Sequence, residues 1–125
     1  MQEKATAEKL QIKAGYAVYL VGPSSAAELL GTLPADARLV EEPADADAAL
    51  LFVADRAELE QRMSGSLTPL SGAKAVWICY PKGNRTDINR DSIRERMDAA
   101  DWEVVSNVSI DPTWSALRAK HPPAR

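Results

Sequence analysis

The side chains best placed to do chemistry in this 125-residue chain share one loop, Pro81-Lys82-Gly83-Asn84-Arg85-Thr86-Asp87. It carries two cations, a hydroxyl and a flexible glycine, and it leads into a segment with helix-start signals. Lys82, Gly83, Arg85, Thr86 and Asp87 could together hold a small anion such as a phosphate or carboxylate, with free helix amides adding to the attraction. The competing reading is a polar surface loop whose cations are solvated, with Asp87 pairing one of them. A P-loop would need more glycines and a Lys-Ser/Thr pair, and this loop has neither.

The remaining reactive side chains have plainer explanations. One cysteine and one histidine exclude a disulfide framework and a Cys/His zinc site. Cys79 lies inside an apolar run, the setting of a buried thiol rather than an activated thiolate. His121 stands beside prolines in a tail, and Ser115 has no base beside it in sequence, so no Ser-His-Asp mechanism takes shape. Trp77, Trp102 and Trp114 sit at strand positions and read as packing anchors. The acids Glu41, Glu42, Asp45, Asp47 and Asp55 lack the spacing of a calcium loop and read as a solvated rim. With no recognisable catalytic constellation and no metal cluster, the residues favour a binding domain over an enzyme.

Elements of a definite kind must position these groups. The length suits a single domain over residues 1–125, with residues 1–12 and 121–125 frayed or lightly docked. Fifteen cations against eighteen acids leave a net charge of −3, which argues against nucleic acid as a partner. The apolar runs are all too short to span a membrane, and no apolar core follows the N-terminal charges. A soluble, cytoplasmic protein without a signal peptide is therefore expected.

Three of those apolar runs, 16–21, 49–53 and 75–80, have the continuous hydrophobicity of strands buried on both faces. A weaker strand falls at 37–40. Serine after Gly22-Pro23 predicts a short helix near 26–30, and Asp55 predicts a helix running through Leu59 and Met63 toward Leu67. Asn89 caps a third, with Ile88 and Ile93 at hydrophobic-staple spacing and an apolar stripe of Ile93, Met97 and Ala100. Trp102, Val104, Val108 and Ile110 then alternate with polar residues as a half-buried strand. Asp111-Pro112 turns the chain, and 113–120 returns as an antiparallel partner. The expected fold is a three-layer α/β domain: a mostly parallel open sheet of about six strands, edged by a C-terminal antiparallel hairpin. The segment between Leu39 and Leu50 is too short for an ordinary crossover helix.

That element order is similar to the class I methyltransferase architecture, a Rossmann-like fold, with one element pair missing after the second strand. The resemblance implies S-adenosylmethionine as cofactor, held by Gly22, by Glu41 or Glu42 about twenty positions further on, and by Asp55. Gly22-Pro23-Ser24-Ser25 departs from the glycine-rich cofactor loop of such enzymes, since two of three expected glycines are absent. Asp55 equally suits a helix N-cap. Three later motifs resemble a bacterial family of domains of unknown function: Trp77 to Lys82, Thr86-Asp87-Ile88, and Asp111 to Arg118 with its Trp114-Ser115-Ala116-Leu117 core. Lys13 to Tyr16 and Leu30 to Pro34 resemble that family's opening segments. That likeness supports the fold and implies no reaction.

The leading expectation is thus a non-catalytic domain without a cofactor, binding a small anion or a protein partner at the carboxyl ends of the strands. A methyltransferase with an atypical cofactor loop is the first alternative. An interaction module that forms a homodimer through the sheet edge or hairpin is the second.

Overall fold

Apolar runs become the middle of one sheet in this computed structural model, which describes residues 10, 12–22, 35–42, 45–64, 73, 75–83, 87–110 and 113–120. Strands β3 (Ala48–Phe52) and β4 (Ala75–Pro81) are buried along their whole lengths. They flank each other at the centre, with β1 (Ala17–Val21) and β2 (Arg38–Val40) to one side. On the other side lie β5 (Glu103–Ser109) and β6 (Trp114–Lys120), giving the order β2-β1-β3-β4-β6-β5. The first four strands pair in parallel. The returning strand β6 is antiparallel to both of its neighbours and fills the space between β4 and β5, so the hairpin's first strand forms the outer edge.

Helices α1 (Arg56–Arg62) and α2 (Arg90–Ala99) pack on one face of this sheet. Leu59, Met63, Ile88, Ile93, Met97 and Trp102 meet the inward side chains of β3, β4 and β6 there. The staple pair Ile88 and Ile93 is fully buried, and Asn89 and Ser92 exchange the two hydrogen bonds of a capping box. Arg96 on α2 reaches across to α1, its Nη2 donating to Glu60 Oε1 at 3.0 Å. The guanidinium holds the Glu60 carboxyl below its usual range. The opposite face carries a second core, in which Leu10 and Ile12 cover Leu50, Phe52, Trp77 and Cys79. Trp77 Nε1 donates to the Leu10 carbonyl at 2.9 Å. The helix expected near 26–30 lies outside the described residues, as do residues 1–9, 65–70 and 121–125.

The structure revises two expectations. The short segment before β3 crosses over without a helix of ordinary length because Asp47 ties it to β1. The Asp47 N–H donates to Ala17 O at 2.8 Å, and Ala17 N–H donates to Asp47 Oδ2 at 3.0 Å. One member of the supposed solvated acidic rim is therefore a structural clamp. The hairpin strand also does not keep a single apolar face. Its register shifts between Val104 and Ser106, leaving Val105 as an extra residue. One inserted residue inverts the pleat. Val104 therefore packs with the helices while Val108 packs in the opposite core.

Candidate functional site

Strand order decides where a ligand can sit. In the sequence β2-β1-β3 the chain leaves β1 toward one edge and afterwards builds toward the other, so the carboxyl ends of β1 and β3 flank a topological switch point. A cleft of about 340 Å³ opens there, lined by Gly22, Phe52, Ala54, Glu58, Arg62 and Trp114. That is within the size range of small-molecule sites. Each wall follows from local structure. Gly22 ends β1 directly against Phe52, where a Cβ would stand 2.6 Å from the Phe52 Cβ, so only glycine fits without displacement. Phe52 meets the edge of Trp114 with ring centroids 5.0 Å apart and planes at 77°.

The polar side of the cleft belongs to α1. Asp55 is the N-cap of this helix, and its Oδ1 accepts from Glu58 N–H at 2.9 Å. Glu58 reaches back so that its Oε1 accepts from Ala54 N–H at 2.7 Å. Both carboxylates thereby close the helix start and fix the loop that leaves β3. One turn further on, Arg62 lines the same cleft, and its Nε is buried with no hydrogen-bond partner. Arg62 was not singled out from sequence. In sequence it is one basic residue on an exposed-looking helix, and only the strand order brings it beside Gly22.

Glu41 and Glu42 follow β2 immediately and are exposed. Tyr19 pairs with Val40, so Glu41 lies one step past that pair, at the same end of the sheet as the cleft. Among the described residues no cluster of three or more His, Cys, Asp or Glu side chains could hold a metal ion.

A second cleft, of about 320 Å³, lies where β4 ends and α2 begins, and its lining includes Tyr80, Lys82, Gly83, Asn89, Asn107 and Ser115. Gly83 adopts a left-handed φ of 77°, which makes the turn out of β4. Lys82 Nζ donates to Ser109 Oγ, tying the loop to the hairpin. Ser115 Oγ donates to Asn107 Oδ1 at 2.8 Å. Asp87 turns away to α1, where its Oδ1 accepts from Arg56 N–H and its carbonyl from Arg56 Nε, both at 2.9 Å. Both bonds tie the end of the loop to the start of α1. Arg85 and Thr86 lie outside the described residues. Cys79 is fully buried, and desolvation pushes its thiol far above the ordinary range, as expected of an inert core cysteine. Trp77 and Trp102 are buried packing residues.

The strand order, with a lone antiparallel strand inserted next to the last parallel one, is Rossmann-like in the class I methyltransferase manner. Solved structures bear this out over almost the whole chain. The B. subtilis m1A22 tRNA methyltransferase TrmK aligns with a TM-score of 0.58 at 13% identity, covering 98% of this chain and 67% of its own. DhpI, solved as a complex with SAH, aligns with a TM-score of 0.61 at 11% identity, covering 96% and 84%. A protein of the NADB-Rossmann superfamily from Streptococcus agalactiae gives 0.58 at 15% identity, covering 100% and 71%. At these identities the likeness is one of fold. No protein-family model matches the chain, and no curated protein sequence does.

Proposed function

We propose that this chain is an S-adenosylmethionine-binding domain of the methyltransferase type, with the cofactor lying across the carboxyl ends of β1 and β3. This reading displaces the non-catalytic anion binder as the leading one. The observation that carries it is the coincidence of the Gly22–Arg62 cleft with the topological switch point, where open α/β sheets bind their ligands. The methyltransferase-like fold of the solved neighbours adds to it.

The residues at hand fit such a group in part. Glu41 or Glu42, exposed beyond β2, would accept from the ribose hydroxyls. Phe52 and Trp114 offer aromatic surface, and Arg62 offers a permanent cation at the cleft wall. Asp55 fits poorly, because its carboxylate already caps α1. When bound, the cofactor supplies an electrophilic methyl group. What the chain contributes is alignment and exclusion of water, for which acid–base residues are not required when the acceptor is already nucleophilic.

A second reading keeps the Lys82 cleft as a site for a small anion, favoured by the gathering of Lys82, Asn89 and Asn107 around one opening. A thermal-shift panel separates the two: S-adenosylmethionine, its demethylated product, nucleotides, phosphate and small carboxylates. At a hundredfold over its dissociation constant a ligand stabilises the fold by about 2.7 kcal/mol, which is several degrees for a domain of this size. A shift with the adenosyl compounds alone is the expected result. A shift with simple anions alone, lost in Lys82→Ala/Arg85→Ala, would replace this reading with the second.

A further inference from the structure

Arg62 poses a problem that the fold alone does not solve. A guanidinium stays charged at any physiological pH and presents five donors in a rigid fork. Here its Nε is buried with no partner among the described residues, and the side chain lines the switch-point cleft. Glu58, at favourable helical spacing for an ion pair, is instead bonded to Ala54 N–H. Between these two described residues no ion pair forms. The residue as a whole is half-buried and lines the cleft, which puts a permanent cation within reach of an anion that arrives with a ligand.

The sequence explains why such a residue is needed. In Gly22-Pro23-Ser24-Ser25 the proline has no N–H and two of the glycines that permit close backbone approach are absent. Just after Gly22, position 23 therefore contributes no backbone N–H to the task of holding an anion. We propose that Arg62 takes over this task and holds the α-carboxylate at the amino-acid end of the ligand. This assignment rests on the cofactor reading above and extends it to a specificity-determining side chain. It implies a site that discriminates by carboxylate rather than by adenosine alone.

Calorimetric titration with two probes tests it. S-adenosylhomocysteine carries the carboxylate, and 5′-methylthioadenosine carries the same nucleoside without it. The wild-type chain should bind the first more tightly. Arg62→Gln should weaken S-adenosylhomocysteine at least tenfold and leave methylthioadenosine unchanged, while Arg62→Lys, which keeps the charge but not the fork, should fall between. Circular dichroism of both variants reports whether they fold, and the lysine variant preserves the comparison if glutamine does not. Equal losses for both probes, or no loss for either, would overturn the role of Arg62 and leave the cofactor reading standing. Wild-type chain that binds neither probe would overturn both.

Discussion

A single methyl group separates Gly22 from steric conflict. Its position against Phe52 is dictated by the parallel register, which pairs Val21 with Leu51 and so brings the next residues side by side. An alanine Cβ at 22 would lie 2.6 Å from the Phe52 Cβ, closer than carbon atoms tolerate. Gly22→Ala should therefore destabilise the domain by about 1–3 kcal/mol, as overpacking does elsewhere. Phe52→Leu should not relieve it, because leucine retains the offending Cβ, and the double variant should be no more stable than the alanine variant. Urea unfolding of the three proteins checks this. In sequence Gly22 reads as the remnant of a cofactor loop, and the structure supplies a packing reason that holds with or without a ligand. Asp55 shows the same duality, and its observed hydrogen bond to Glu58 N–H belongs to the capping role. At the residue scale, then, chemistry-bearing types were legible but their assignments were not. Which carboxylate is committed to a helix start depends on φ/ψ and partners that a list of residue types does not hold.

Elements were read more fully than residues, with losses at their ends. The start of α2 announces itself through Asn89, Ile88 and Ile93, all of which do as their spacing implies. Its end was hidden. Asp101 takes a left-handed φ of 66° and donates its N–H to Asp98 O, while Trp102 N–H donates to Met97 O at 2.8 Å. This is a Schellman termination, with the buried pair Met97 and Trp102 as its apolar contact. A glycine at 101 would have signalled it, but an aspartate does not. The same geometry gives a prediction: Asp101→Gly removes the strain of a left-handed aspartate and should stabilise the protein by about 1 kcal/mol. A shift in urea midpoint without a change in slope would show it. The hairpin bulge was invisible for a related reason. Val104 and Val108 have the parity of one face, and only pairing with β6 reveals that Val105 inverts the pleat between them.

Across the whole molecule, the strand order that creates the cleft also creates two cores of different origin. One is sealed by α1 and α2, whose apolar stripes are periodic and could be read from spacing. The other is sealed among the described residues by Leu10 and Ile12, two apolar side chains in a segment with no periodicity to mark them. Residues 1–12 read as frayed or lightly docked because the partner that explains Leu10, Trp77, is 67 positions away. A chain beginning at Lys13 makes the contribution measurable. It would lose the burial of two aliphatic side chains, each of about 1.5–3 kcal/mol. It would also lose the hydrogen bond of the Trp77 indole N–H, with a net value of about 0.5–1.5 kcal/mol. Together these approach the 5–15 kcal/mol that holds a typical domain folded. The shortened chain should bind a hydrophobic dye and melt without a cooperative transition. Trp77→Phe in that background should recover nothing, because water satisfies the uncovered indole N–H and the open face above Leu50 and Phe52 remains. Since Phe52 also walls the switch-point cleft, adenosyl-compound binding should disappear with the N-terminal segment, although neither Leu10 nor Ile12 lines the cleft.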